Sequence, residues 1–378
     1  MKIHSLLTLM VEQNASDLFL VSGHQPSMKV NGELQEIDAP ILADDDARAL
    51  ILSVMTQQQQ ADYLSSRECN FSIHAEAGRF RACAFVERGA PSMVLRRIQD
   101  IIPELDDLHL PAIIKQLAMS KRGLIVFVGA TGTGKSTSLA AMVQHRNRNS
   151  RGHITTIEDP IEFIHSNQGC IVTQREVGVD TESFSVALKN TLRQAPDVIL
   201  IGEIRTAEAM QHALTFAETG HLCLTTLHAN NANQAIDRML HFFPDAMQRQ
   251  VRMDLSLNLR AVVAQQLIAL PDGSGVHPAV EILLNTPLAA EYIRDGEISK
   301  LKELMKKSRQ QGMQTFDQAL FDLYQSSIIS YDDALKSADS ANEVRLMIKL
   351  ANAAADQQLS GSASRFSIVE TSAPGSES

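Results

Sequence analysis

The chain has 378 residues, 44% of them hydrophobic and 21% charged, with a formal net charge of -10. That composition fits a globular protein with a real core, and the acidic balance argues against nucleic acid as a partner. No apolar run approaches the roughly 20 residues a membrane span requires, and the scattered Cys69, Cys83, Cys170 and Cys223, with no C-x-x-C pair, fit a reduced cytoplasmic protein.

The amino terminus, "MKIHSLLTLMVEQN", has Glu12 inside its apolar stretch and lacks a small-residue cleavage site, so it reads as a helix and not as a signal peptide. Ile3, Leu6, Leu7, Met10 and Val11 fall on one helical face. "DLFLVSGHQPSMKVNGELQEI" holds two strand-like runs with breaks at Pro26 and Asn31-Gly32. Acidic residues open a helical pattern in "DDDARALILSVMTQQQQADYL", and "NFSIHAEAGRFRACAFVERGAPSMVLRRI" alternates like antiparallel strands. Residues 1–105 therefore read as an α+β domain, and the Pro-marked stretch 106–119 as a linker.

From residue 120 the texture changes. "GLIVFVG", "HITTIED", "PDVILIGE" and "HLCLTTLH" are short apolar strands separated by helical patterns, which predicts a parallel α/β sheet. A hairpin at Asp272-Gly273 closes this region near residue 285. Residues 286–353 read as helical, and 354–378, small and polar, as a disordered tail. The basic stretch "KLKELMKKSRQQG" reads as a solvated helix face.

Gly129, Gly134, Lys135 and Ser136 fit G-x-x-x-x-G-K-[ST], directly after a strand and before a helix, with Ala130, Thr131, Gly132, Thr133 and Thr137 completing the segment. Glycines let backbone N–H groups wrap a β-phosphate at the positive end of the helix dipole. Lys135 would bridge the β- and γ-phosphates, and Ser136 would ligate Mg²⁺, which makes this a nucleoside triphosphate site. A P-loop also needs a carboxylate on a neighbouring strand. Glu203, ending "PDVILIGE", supplies it for the magnesium shell, with Gly202 before it; Asp197 lies at the other end of that strand, about 20 Å away. "TIEDPIEFIH" offers Glu158, Asp159 and Glu162 at a strand end, where a carboxylate can orient the attacking water.

His221 and His228 bracket the last apolar strand seven residues apart. At strand rise that is about 23 Å, too far for one metal ion. His228 falls at the phosphate-facing edge, where it could sense the γ-phosphate, and His221 at the far end.

Taken in order, "GATGTGKST", "TIEDPIEF", "VILIGEIR" and "TGHLCLTTLHAN" resemble the Walker A loop, aspartate box, Walker B strand and histidine box of the secretion ATPases of type IV pili and type II secretion. "ASDLFL" and "QTFDQAL" extend the resemblance over about residues 10–350. It implies a PAS-like N-terminal domain, a RecA-like P-loop motor domain with a helical C-terminal region, a homo-hexamer, and ATP hydrolysis that drives an inner-membrane pilus platform protein from the cytoplasmic side. By the same resemblance Glu162 is the catalytic glutamate, Glu203 the Walker B residue, and Arg79, Arg81 and Arg96 the basic positions that the N-terminal domain brings to the nucleotide. The chain has no cysteine after Cys223 and a short N-terminal region, which favours the retraction type. "LAAEYIRD" (288–295), Phe19 where a histidine is usual, and the polar tail depart from the primary retraction ATPase. They point to a second, accessory retraction motor that works with a primary one. Two other readings stay open: a ring scaffold with little turnover, and an extension or secretion motor.

Overall fold

The computed structural model describes residues 2–30, 32–98 and 101–363. The chain divides into two compact units, one taking residues to Ile102 together with Glu162–Ile164, the other Pro103–Ile161 and the chain from His165 onward.

The first unit runs α1 (Ile3–Glu12), β1 (Asp17–Val21), β2 (Ser27–Val30), β3 (Glu33–Glu36), α2 (Asp44–Leu52), α3 (Gln57–Ser66), β4 (Glu68–Ala75), β5 (Gly78–Glu87) and β6 (Ala90–Ile98). Its strands form one sheet, β3-β2-β1-β6-β5-β4, antiparallel throughout. The expected face of α1 buries Ile3, Leu6, Leu7 and Met10, with Val11 packed at its margin. The glutamine run becomes a helix start because Thr56 and Gln59 form a capping box. Asn31 lies outside the described residues.

Period-two alternation decides the faces of this sheet. Phe80, Ala82 and Ala84 of β5 and Leu95 of β6 are fully buried in the core. Arg79 and Arg81 therefore take the other face of β5, and Arg96, in register opposite Arg81, shares it. Like charges opposite each other repel; here Asp17 of β1, opposite Arg96 on its other side, holds the Arg96 Nε at 2.8 Å.

The second unit contains α4 (Ile113–Ala118), β7 (Gly123–Val128), α5 (Lys135–Asn149), β8 (Gly152–Glu158), β9 (Cys170–Glu176), α6 (Phe184–Thr191), β10 (Val198–Ile201), α7 (Ala207–Glu218), β11 (Leu222–Leu227), α8 (Ala232–His241), α9 (Asp245–Asn258), β12 (Leu259–Ala269) and β13 (Val276–Leu284). The helices α10 (Pro287–Asp295), α11 (Leu301–Lys307), α12 (Phe316–Gln325), α13 (Tyr331–Ser337) and α14 (Ala341–Ala363) follow. The sheet order is β13-β12-β7-β11-β10-β8-β9, parallel except for β13, which returns from the hairpin antiparallel to β12. Every residue of β7, β10 and β11 is buried, as strands covered on both faces require. Along β7 the side chains alternate between two cores: Leu124, Val126 and Val128 meet α7 to α10 and α12, while Ile125 and Phe127 meet α4 and α5.

Two expectations are corrected. The stretch 106–119 is not a linker: Ile114, Leu117 and Ala118, with Leu105 before them, pack into the core that holds Phe127 and Val263. The apolar residues on either side of Pro111 are spent on the second unit's wall. Residues 354–363, expected in the disordered tail, continue α14, and Ala354, Ala355, Gln357, Gln358 and Leu359 among them are good helix formers; 364–378 lie outside the described residues. The basic stretch at α11 is largely neutralised within the unit. Lys300 meets Glu297, Lys302 meets Asp317 and Asp339, Lys306 meets Glu303 and Glu343, and Arg309 meets Asp322.

Candidate nucleotide site

The loop between β7 and α5 is a cradle whose two ends require glycine. Gly129 has φ +151, and a Cβ there would stand 2.5 Å from the Gln265 carbonyl oxygen. Gly134 has φ +83, and its Cβ would come within 2.8 Å of Gln265 Nε2. L side chains rarely adopt such backbone conformations. Gln265, buried on β12, is itself fixed by the Ser138 hydroxyl, which donates to its Oε1 at 2.8 Å. Gly134 is also the N-cap of α5 and offers no side-chain cap, so the positive end of that helix faces the loop. Lys135 is 9% exposed and its Nζ donates to the carbonyls of Gly129 at 2.9 Å and Ala130 at 2.7 Å. Thr133 donates to the Ala130 carbonyl, and Ser136 stands exposed on the first turn. Thr131, Gly132 and Thr137 occupy the same loop and turn. Loop, buried ammonium and exposed hydroxyl thus fit a nucleoside triphosphate with Mg²⁺.

Register places the acidic strand. Leu227 pairs with Val128, so His228 and Gly129 leave the sheet side by side. Ile201 pairs with Thr225 on one side and Ile157 on the other, which brings Gly202, Glu158 and Thr226 to the same edge. Thr226 donates to the Gly202 carbonyl at 2.7 Å. A Cβ on Gly202 would lie 3.3 Å from the Glu158 Cα, a physical reason for glycine where many P-loop enzymes carry aspartate. Glu203, its side chain 20% exposed, is held on both oxygens: Oε1 lies 3.2 Å from His228 Nε2, and Oε2 accepts from Arg205 at 2.7 Å. The Glu203 carboxylate in turn stabilises the Arg205 charge, with Asp159 adding a weaker pull at 3.9 Å.

Arg205 was not singled out in the sequence, although its position two residues after Glu203 is a usable signal. A cavity of about 360 Å³ opens beside the loop, lined by Gly129, Ala130, His228, Asn230, Arg238 and His241 among others.

The three aspartate-box carboxylates separate. Glu158 accepts from Thr156 at 2.7 Å and from Gln174 at 3.4 Å, so it is tied to the sheet. Asp159 points toward Arg205. Glu162 is exposed, in the segment Glu162–Ile164 that divides with the first unit. β9, which the sequence reading missed, anchors the chain on both sides of that segment. Glu176 accepts from the Ile161 N–H at 3.2 Å, and Gln174 from the His165 N–H at 2.7 Å. Arg79 (7% exposed), Arg81 and Arg96 share one face of the first unit's sheet. At the opposite end of β11, His221 meets Thr219 and the Phe216 carbonyl, a helix-end contact. Asp197 likewise serves structure, accepting from the His153 N–H at 2.8 Å.

In the sheet, β11 lies between the loop-bearing β7 and the acidic β10. That inserted strand, with the loop and carboxylate at one edge, is the arrangement of the RecA-like P-loop ATPases, and the second unit is one of them. The family model for "Type II/IV secretion system protein" matches residues 1–316, and the chain belongs to that family. It is 62% identical to the "Type IV pilus ATPase PilU" of Pseudomonas aeruginosa, over 93% of this chain and 92% of that protein. It is 39% identical to the "Type IV pilus retractation ATPase PilT" of the same organism, over 89% of this chain and 98% of that one. Among solved structures, that of the "Pilus Retraction Motor PilT and Bound ADP" superposes with a TM-score of 0.86, at 36% identity, covering 91% of this chain and 99% of that one. Among the described residues no helix is long and apolar enough to cross a membrane, and no cluster of histidine, cysteine and carboxylate groups could hold a metal ion.

Proposed function

We propose that this chain is an ATP-hydrolysing motor that powers retraction of type IV pili, working as an accessory to a PilT-type primary retraction ATPase. The observation that carries the reading is the edge cluster: Glu203, with its two oxygens engaged by His228 and Arg205, beside a Lys135-bearing phosphate loop. The similarity to PilU and PilT supports the retraction assignment. The chain assembles as a homo-hexamer at the cytoplasmic face of the inner membrane and acts on the pilus platform protein.

In this mechanism Lys135 and the loop N–H groups bind the β- and γ-phosphates of ATP. Ser136 and Glu203 are the residues that would hold Mg²⁺, which would neutralise charge on the phosphates. Glu162 orients a water and takes its proton as the water oxygen bonds to the γ-phosphorus. The bond to the β–γ bridging oxygen breaks, leaving ADP and phosphate. His228 holds the Glu203 carboxylate and reports the loss of the γ-phosphate to β11. Arg79, Arg81 and Arg96 offset charge developing on the transferred group.

The test combines two measurements. The purified protein and its Glu162→Ala variant are assayed for ATP hydrolysis, and each is returned to a deletion strain whose pili and twitching motility are scored. Turnover and motility that both disappear in the variant support the motor. Motility unchanged by Glu162→Ala supports a ring scaffold, and loss of pili on deletion supports an extension or secretion motor.

A further inference from the structure

Glu281 is the one glutamate whose two oxygens serve two different helices among the described hydrogen bonds. It sits in the middle of β13, 1% exposed. Its Oε1 accepts from the Ala232 N–H at 2.8 Å, at the first turn of α8. Its Oε2 accepts from the Phe316 N–H at 3.4 Å, at the first turn of α12. The two helices differ in their surroundings. α8 begins four residues after His228, and its Gln234, Asp237, Arg238 and His241 line the cavity beside the phosphate loop. α12 belongs to the C-terminal helices, where buried Asp317 accepts from the Ser340 N–H ahead of α14 and faces Lys302 of α11 at 3.6 Å.

We infer that Glu281 is a positioning residue: its carboxylate ties the cavity wall formed by α8 to the C-terminal helices, so that both keep a common register with the sheet. A carboxylate is the group this place requires. Each oxygen accepts from the N–H of a helix N-terminus, where negative charge is favoured. Glutamine has one acceptor oxygen, and its amide would oppose the second N–H. A protonated carboxyl has the same defect, since its O–H must face one of the two donors. The charged groups around the site are Lys302 of α11, Asp317 of α12 and Asp339 ahead of α14. Burial pushes the Glu281 carboxyl up to about 7, against the two N–H groups and Lys302, so its charge is sensitive near neutral pH.

The inference deepens the motor reading, and its test separates the two. The full-length wild type, Glu281→Gln and Glu281→Asp are compared by amide hydrogen exchange and by steady-state ATP hydrolysis. In Glu281→Gln the first turns of α8 and α12 exchange faster together while β7 stays protected. kcat falls about tenfold with KM within about twofold, the scale of one lost charge-assisted hydrogen bond. Glu281→Asp, which keeps both oxygens, recovers part of kcat. Wild-type kcat declines from about pH 8 to about pH 6 as the carboxyl takes up its proton, and Glu281→Gln abolishes the component of that decline due to this group. Unchanged exchange at either helix, or Glu281→Asp no better than Glu281→Gln, overturns the inference. If the wild type hydrolyses no ATP the motor reading fails, and exchange alone still decides whether Glu281 ties the two helices.

Discussion

His228 Nε2 and Glu203 Oε1 stand 3.2 Å apart across the edges of adjacent parallel strands. The contact exists because β11 is inserted beside β10, so the residues just past the two strand ends converge. His228→Ala is expected to lower kcat for ATP hydrolysis about tenfold, the worth of one hydrogen bond to a charged group. ADP affinity, measured by fluorescence titration, stays within about threefold. An unchanged kcat would remove His228 from the reaction.

Two loop glycines should respond differently to the same methyl group. Gly129→Ala places a Cβ 2.5 Å from the Gln265 carbonyl at φ +151, whereas Gly132→Ala, at φ +80, meets nothing within 4 Å. The first should destabilise the protein by about 3 kcal/mol and the second by about 1 kcal/mol, read from thermal or urea unfolding. Equal losses would mean that backbone conformation alone, and not the closeness of β12, selects glycine at residue 129.

His165 gives the fold an acid limb. The ring is 8% exposed, Nδ1 lies 3.3 Å from Gln144 Oε1, and burial pulls its pKa down to about 4. Above the unfolded value of about 6.5 the ring is neutral in both states and nothing is lost. As pH falls below that value the unfolded chain binds the proton first. Stability therefore declines progressively toward pH about 4, by an amount on the order of 3 kcal/mol. Urea unfolding between about pH 7 and pH 4.5 should show this slope in the wild type and a shallower one in His165→Phe. Parallel slopes would assign the acid sensitivity elsewhere.

On the first unit, Arg81 is exposed while Arg96 is held by Asp17. Arg81→Ala should leave the melting temperature within about two degrees, as surface changes do. It should cut hydrolysis by the assembled protein at least about a hundredfold if the side chain stabilises the transition state. Full activity in Arg81→Ala would return this arginine to the solvated surface.

The parts legible in the sequence were those with strong local rules. Gly129, Gly134 and Lys135 are spaced by the needs of a phosphate, and the short buried runs around Ile125, Leu200 and Leu224, separated by helical patterns, indicate parallel strands. Long-range pairing left weaker traces. β9 escaped because its burial is irregular, with Ile171 62% exposed at the sheet edge, so neither a continuous apolar run nor clean alternation marks it. The stretch 106–119 looked like a linker because Pro103 precedes it and Pro111 interrupts it. Only the fold reveals that Leu105 and Leu117 have a core to enter. Glu281 was invisible for the same reason: a lone acid in "HPAVEILL" reads as the polar side of a strand until two helix starts from distant sequence arrive beside it.

The burial of β11 bears on how it can move. All residues from Leu222 to Leu227 are buried, and the strand is paired to β7 on one side and β10 on the other. Bending it locally would break ladder bonds on two flanks with no water to replace them, at a cost of about 1–3 kcal/mol per orphaned group. It is therefore a stiff rod about 20 Å long. Sliding it along its axis would break the same ladders, so a push at the His228 end is carried to the Thr219–His221 end by β7, β10 and β11 moving together. The end of α7, joined there through Phe216, is the part of the molecule that would be levered first.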